Sequence, residues 1–170
     1  MSVDYPDIFH LRAAEGWLEL GNWEEAHAEL ECVSPRYLAH PETLQVRWHL
    51  HAALKQWDLA VELAKVLTKA EPEVPFGWIQ TAYGLHELKK TEEAYLFLKP
   101  AVEAFPKEWV MRYNMACYSC QLGKMEEARE WLQSAYLCGN EKQIQQMASE
   151  DLDLLPLRKT ILSVRSTRKR

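Results

Sequence analysis

The sequence has 170 residues, of which 48% are hydrophobic and 26% charged, a balance that fits one folded globular domain rather than a disordered chain. Twenty basic against 25 acidic residues give a formal net charge of -5, which argues against a nucleic-acid-binding surface over the whole protein. The sequence has no signal-peptide pattern, and no apolar run approaches the roughly 18 residues that a membrane span needs. We therefore expect a cytoplasmic protein that contacts neither nucleic acid nor membrane.

An alanine recurs in the sequence at a constant interval of 34 residues, as Ala26, Ala60, Ala94 and Ala128. A constant period without insertions is typical of stacked helix-turn-helix units. The period predicts four helix pairs, which we number as units one to four, at residues 7–40, 41–74, 75–108 and 109–140.

Local signals mark the helix ends within these units. In unit one, the Gly21-Asn22 pair ends the first apolar periodic stretch, and Asn22 with Glu25 forms a capping box for the second helix. Pro41 and Pro75 stand where the next two units begin, since proline is tolerated in the first helical turn. Pro100 falls inside the second helix of unit three and is expected to bend that helix.

The periodic alanines are expected to let the two helices of a unit approach closely. Ala14, Ala82 and Ala116 occupy the facing position of the first helix in units one, three and four. Unit two has Trp48 there instead. Either its helices splay apart, or the indole turns toward a neighbouring unit, so unit two is expected to be irregular.

The residues after unit four fit a capping segment over residues 141–164, followed by a basic, mobile tail at residues 165–170. A short helix is expected in EKQIQQMASE, with Ile144, Met147 and Ala148 turned onto unit four, because the last unit of such an array otherwise exposes its apolar face. The Leu and Ile residues of residues 151–164 suit further packing.

Over residues 7–140 the sequence resembles the tetratricopeptide repeat (TPR) family, whose unit reads W-x2-L-G-x2-Y, then A-x3-F, then P. Trp78, the four alanines, and the prolines Pro72 and Pro106 match this pattern. Leu38 and Asn140 depart from it, because a proline is usual at their positions. The runs KKTEEA, YNMACYSCQLG and DLDLLPLR also resemble small bacterial repeat proteins without an assigned activity.

This resemblance implies an all-α, right-handed α-α superhelix of four helix pairs with a C-terminal capping helix. It further implies a non-catalytic module that binds a peptide or helix of a protein partner in a concave groove, as adaptors and co-chaperones do. The first helix of each unit lines that groove in the family. In units one and two, the corresponding positions hold Ile8, Leu11, Arg12, Glu15, Leu18, Glu42, Gln45, Val46, His49 and Ala52.

The aromatic and apolar character of the groove positions in units three and four favours these units as the peptide-binding site. The predicted site residues are Phe76, Ile79, Gln80, Tyr83, His86, Val110, Tyr113, Asn114 and Cys117. Two alternatives stay open. The capping helix or residues 151–164 fold back and fill this groove, or the protein associates with itself as a homodimer through a convex face or through Trp17, Leu20 and Trp23 of unit one.

Several other functions find little support in the sequence. The groove positions supply no cation pattern for the chaperone carboxylate clamp of some TPR proteins. Cys117-x-x-Cys120 lacks the second short-spaced ligand pair of a zinc site, and all four cysteines lie in helical patterns that suggest buried thiols. A sensor that uses this cysteine pair remains an alternative. We predict no cofactor and no enzymatic activity, because no nucleophile, phosphate loop or acidic pair stands in a catalytic pattern.

Overall fold

The computed structural model describes residues 3–157, and within this range the chain is all-α, as predicted. Its helices are α1 (Asp7–Glu19), α2 (Trp23–Glu31), α3 (Pro41–Ala53), α4 (Trp57–Ala70), α5 (Pro75–Glu87), α6 (Thr91–Leu98), α7 (Ala101–Ala104), α8 (Trp109–Gln121), α9 (Met125–Cys138) and α10 (Glu141–Glu150). Two short 3₁₀ helices lie at Pro35–Tyr37 and Leu155–Leu157. None of the helices described here is both long and apolar enough to cross a bilayer.

Local sequence accounts for where the helices begin and end. The Asn22 side chain accepts a hydrogen bond from the Glu25 backbone amide at 3.3 Å, which confirms the predicted cap of α2. The helix of unit three is interrupted around Pro100, between α6 and α7, as expected of a residue that cannot donate a backbone hydrogen bond.

The turn between the two helices of each pair contains one residue with a positive φ, and these residues also recur every 34 positions. They are Gly21 (73°), Lys55 (56°), Lys89 (64°) and Gly123 (75°). Glycine adopts this left-handed conformation without steric cost, whereas lysine does not. The repeat therefore requires the left-handed backbone conformation at this turn position, whether the residue is glycine or lysine.

The alanines that mark the repeat are buried. The seven alanines at the predicted positions have no measurable exposure, as is typical of small residues between closely packed helices: Ala14, Ala26, Ala60, Ala82, Ala94, Ala116 and Ala128. Trp48, which replaces the expected small residue, is buried with Ala60 and Ala64. Its indole meets the Phe76 ring edge-on, with centroids 5.7 Å apart. Of the two outcomes expected for this tryptophan, packing toward the next unit is therefore observed.

The chain divides into two compact parts, which we call the first half (Met1–Gly84) and the second half (Leu85–Arg170). The core of the first half lies among α1, α2 and α3, where Leu11, Leu30, Val46 and Leu50 are buried. Further along, α5 approaches α4 closely, since a Cβ atom on Gly77 would lie 2.6 Å from the backbone nitrogen of Thr68.

The second half is built on α8, which packs against α6 and α9. Met111, Met115 and Tyr118 of α8 are almost fully buried. Beside them, the Tyr95 hydroxyl donates a hydrogen bond to the Glu127 carboxylate and accepts one from the Lys99 ammonium. This polar cluster ties α6 to α9.

The chain after α9 covers part of the second half. Ile144 and Ala148 of α10 are buried as predicted, whereas Met147 is 38% exposed. After α10, residues 151–157 continue without an α-helix and bury Leu154 and Leu157. We call residues 151–157 the C-terminal segment. The rest of the predicted capping segment and the basic tail at residues 165–170 lie outside the described residues.

Candidate peptide-binding surface

The nine predicted site residues lie on α5 and α8, the first helices of the third and fourth pairs. Phe76, Ile79, Gln80 and Tyr83 belong to the first half of the molecule, and His86, Val110, Tyr113, Asn114 and Cys117 to the second. The surroundings of these two sets differ.

In the first half, the predicted residues of α5 form a partly exposed aromatic surface. Tyr83 is 37% exposed, and the Trp57 ring meets its ring edge-on at 5.5 Å. The Phe76 ring lies 5.7 Å from both the Trp48 and the His49 rings. Rings held in place by other rings lose little conformational freedom when they contact a ligand, which suits them as anchors.

The first half also has an open cavity of about 570 Å³. It is lined by Glu15, Leu18 and Glu19 of α1, Trp23 of α2, and His49 and Ala53 of α3. Glu15, Leu18 and His49 stand at predicted groove positions, whereas Glu19, Trp23 and Ala53 do not, although Trp23 was named for self-association. Glu19 and Ala53 stand 34 residues apart, one position after Leu18 and Ala52, and they meet Trp23 through the packing of α1, α2 and α3.

Two of the residues that line the cavity, Glu15 and Glu19, carry carboxylates. The Arg12 guanidinium donates a hydrogen bond to Glu15 at 2.7 Å, and this contact raises the pKa of Arg12. Burial lowers the pKa of His49, so this imidazole is neutral at pH 7 and adds no opposing cation. The cavity therefore presents carboxylates next to an indole ring.

In the second half, three predicted residues are buried beneath the C-terminal segment. The Tyr113 hydroxyl donates a hydrogen bond to Asp151 Oδ2 at 2.7 Å, and the Cys117 thiol lies 3.5 Å from the same oxygen. His86 Nε2 lies 2.8 Å from Asp153 Oδ2. Residues 151–157, the described part of the segment that was expected to fold back, thus contact three of the predicted groove residues.

Two predicted residues of the second half remain, and three other residues near them were not predicted. Val110 and Asn114 are partly buried. Gln121, which the site prediction omitted, donates a hydrogen bond from Nε2 to the Asp153 carbonyl oxygen at 3.0 Å. The site prediction also omitted Asp151 and Asp153. Two acidic residues within a leucine-rich stretch could have indicated that this stretch is held by polar contacts.

Two of the groups that meet Asp151, Tyr113 and Cys117, are held in their neutral forms. Burial, together with the neighbouring Cys117 and Asp151, raises the pKa of Tyr113 well above its usual range. Burial and the Asp151 charge raise the pKa of the Cys117 thiol as well. Both groups therefore act as hydrogen-bond donors at neutral pH, and Cys117 is a poor nucleophile.

The cysteines are not all buried, contrary to expectation. Cys117 and Cys120 are buried, but Cys32 and Cys138 are exposed, because each lies at the end of its helix, where fewer neighbours cover the side chain. Within residues 3–157, no three His, Cys, Asp or Glu side chains converge in a way that suits a metal ion.

Comparison with known proteins gives matches by structure alone. No family model matches the sequence, and no curated protein is significantly similar to it. The structure of MamA residues 41–end from Desulfovibrio magneticus RS-1 superposes with a TM-score of 0.71 at 17% identity, over 99% of this chain and 100% of that one. A MamA RS-1 double mutant gives a TM-score of 0.68 at 13% identity, over 86% of this chain and 79% of that chain.

A further match is the crystal structure of YrrB, described as a TPR protein with an unusual peptide-binding site. Its TM-score is 0.60 at 13% identity, over 92% of this chain and 90% of that one. At these identities, the matches establish a shared arrangement of helices and leave the function of this chain to be inferred from its own residues.

Proposed function

Because the chain has the TPR fold, we propose that it is a non-catalytic, cytoplasmic protein-interaction module that binds an extended or helical segment of a protein partner. The proposed binding surface of the first half is the partly exposed side of α5. The proposed activity is that of an adaptor, in which the partner supplies any chemistry.

One observation carries this proposal. Three residues predicted to bind peptide, His86, Tyr113 and Cys117, contact the side chains of a segment that is not α-helical, although that segment belongs to the same chain. This surface therefore has the shape and the hydrogen-bond donors to hold such a segment. Binding a segment of another protein uses the same physical contacts.

The accessible part of the proposed site lies on α5. Phe76, Ile79 and Tyr83 provide apolar and aromatic contacts, and Gln80 beside them provides a hydrogen-bonding amide. On α8 of the second half, Val110 and Asn114 are predicted site residues that remain partly exposed. Burial of a few aromatic anchors supplies most of the affinity of an interface of this kind.

A second candidate function is self-association of a repeat protein whose groove is occluded. It is favoured by the same contacts, because a groove residue covered by the protein's own segment is removed from partner binding. Light scattering coupled to size exclusion distinguishes the candidates. A dimer that persists in groove variants supports self-association, and a monomer at micromolar concentration excludes it.

The proposed function is tested by peptide selection. Binders are selected from a random peptide display library against the wild-type chain, and their affinities are measured by fluorescence anisotropy for two variants. Tyr83→Ala removes an exposed ring from the α5 surface and is expected to weaken binding at least about tenfold, as for an interface hot spot. Leu59→Ala, on α4 and 52% exposed, is the matched control and is expected to leave affinity unchanged.

Two outcomes would contradict the proposed function. Equal affinities for Tyr83→Ala, Leu59→Ala and the wild type place the selected peptides elsewhere and refute the α5 site. Failure to select any peptide, with circular dichroism showing folded protein, counts against the module itself.

A further inference from the structure

The C-terminal segment is held by two kinds of side-chain contact. Its carboxylates meet donors on the underlying helices, where Tyr113 binds Asp151 and His86 binds Asp153. Its leucines divide into two sets, since Leu154 is fully buried whereas Leu152 is 76% exposed. A few anchors at intervals, with the residues between them in solvent, are typical of a bound peptide ligand.

The donors on the protein side are matched to carboxylates. Thr91 Oγ1 lies 3.0 Å from His86 Nδ1, and a hydroxyl that donates to Nδ1 leaves Nε2 as the donor toward Asp153. Tyr113 is kept protonated by burial, which raises its pKa. Hydrogen bonds from such fixed donors to an ionised carboxylate are stronger than bonds between neutral groups.

From these contacts, we propose that the surface formed by His86, Tyr113, Cys117 and Gln121 is a binding site for acidic, leucine-rich segments. The C-terminal segment is its built-in ligand, and a partner segment of the same chemistry displaces it. The inference rests on the proposed function and names the class of partner that the second half recognises.

Displacement is feasible because the C-terminal segment is short and contributes no α-helix to the core. The Asp153 side chain is 34% exposed, so water competes for part of its hydrogen-bonding capacity. A tethered ligand of this length acts at an effective concentration on the order of millimolar. A free peptide of the same sequence therefore binds the wild type weakly, and it binds better when the tethered copy is weakened.

The test uses the full-length chain and a labelled peptide with the sequence of residues 149–157, SEDLDLLPL. Peptide affinity is measured by fluorescence anisotropy for the wild type and for the Asp151→Ala/Asp153→Ala double variant. The double variant keeps every residue of the proposed binding surface and loses the carboxylates of the tethered segment. We expect it to bind the peptide at least about tenfold more tightly than the wild type, because two charge-assisted hydrogen bonds of the competitor are lost.

Three controls make the result specific. A peptide with Asn at both acidic positions is expected to bind the double variant at least about tenfold more weakly than SEDLDLLPL. Adding Tyr113→Phe to the double variant is expected to lower affinity, whereas adding Tyr5→Phe, at a tyrosine of the first half that is 80% exposed, is expected to leave it unchanged. Leu154→Ala in the otherwise native chain weakens the tethered segment by a second route and is expected to increase peptide binding as well.

No binding of SEDLDLLPL by either folded variant overturns the inference, as does equal affinity for the Asp and Asn peptides. The library-selected peptides test the proposed function separately, since they are scored on Tyr83→Ala. A protein that binds those peptides and ignores SEDLDLLPL keeps the proposed function and loses only this inference.

Discussion

The first and second halves of the molecule use the same repeat and present different surfaces. In the first half, Tyr83 remains partly exposed, and an open cavity of about 570 Å³ lies beside α1 and α3. In the second half, Cys117, which stands 34 residues after Tyr83, and the nearby Tyr113 of α8 are buried under the C-terminal segment. The period of a repeat therefore sets where a groove residue stands, and the chain that follows the repeats sets whether it is accessible.

The two halves also differ in hydrogen-bonding character. The cavity of the first half presents carboxylates, and Glu15 already holds the Arg12 guanidinium. The covered surface of the second half presents donors, and it holds two aspartates. The two surfaces thus differ in the polar groups that they present, although both include first helices of the same repeat.

The largest predicted effect comes from a substitution that weakens the packing of the C-terminal segment onto the second half. Leu154→Ala deletes a fully buried side chain of the C-terminal segment and is expected to lower the free energy of unfolding by roughly 2–4 kcal/mol. Leu152→Ala is the matched control within the same segment, and because Leu152 is exposed, the change should stay within about 0.5 kcal/mol. Urea unfolding followed by circular dichroism measures both.

Hydrogen exchange shows where the Leu154→Ala effect falls. Amides of α8 are expected to exchange faster in this variant, with those of α1 unchanged. Equal losses of stability for Leu154→Ala and Leu152→Ala contradict the packing of this segment.

The first half is tested at the contact between α4 and α5. In Gly77→Ala, the new Cβ atom meets the Thr68 backbone at 2.6 Å and 2.8 Å, so a helix must shift, and a loss of roughly 1–3 kcal/mol is expected. Gly16→Ala, in the interior of α1, meets no atom within 4 Å and is expected to stabilise by about 0.5–1 kcal/mol. Thermal unfolding measures the sign of the stability change in both variants. Stabilisation by Gly77→Ala would disprove the close approach of α4 and α5.

A smaller effect tests a feature that both halves share. Lys55 in the first half and Lys89 in the second adopt the positive φ that glycine adopts in the other two turns. Lys55→Gly and Lys89→Gly are each expected to stabilise by roughly 1 kcal/mol, because glycine relieves the left-handed strain. Gly21→Lys should change stability by a similar amount in the opposite direction. Chemical denaturation measures all three, and destabilisation by both glycine variants rules out strain at these turns.

The smallest predicted effect concerns pH and the first half alone. The Asp7 carboxylate accepts hydrogen bonds from the Ser34 backbone amide and hydroxyl and lies 3.6 Å from Arg36, contacts that hold the pKa of Asp7 below its ordinary 3.8. Since the folded pKa is lowered, ionised Asp7 stabilises the fold above about pH 4, and this contribution is lost as the pH falls through the folded pKa.

Asp7→Asn is the variant that tests this pH dependence. Its melting temperature should lie below that of the wild type at pH 7, and the gap should shrink at pH 3. A gap of the same size at both pH values shows that the Asp7 charge contributes nothing.

Much of the fold was predictable because its causes are local or periodic. The spacing of Ala26, Ala60, Ala94 and Ala128 identified the helix pairs, since a small residue is needed wherever two helices approach closely. The effects of Pro100 on its helix and of Asn22 on the start of α2 are also local, because both involve backbone groups close in sequence. For Trp48, the sequence left two outcomes, and the position of Phe76 selected one of them.

The candidate site was only partly predictable. Aromatic residues at groove positions were correctly placed on the first helices, but exposure depends on neighbours distant in sequence. Cys32 and Cys138 show the same limit, because a helical pattern does not reveal that a helix end lacks a covering neighbour. The cavity residues Glu19, Trp23 and Ala53 come together only through the packing of three helices.

The sequence by itself determined the repeat, its helices and the burial of its alanines, because a strict period repeats one set of short-range steric constraints. Only the tertiary structure decided which groove residues are covered. His86 meets Asp153 from 67 positions away, and Tyr113 meets Asp151 from 38. Contacts at such separations depend on the path the chain takes after α10, and that path is set by the packing of Leu154 and Leu157 rather than by any local pattern.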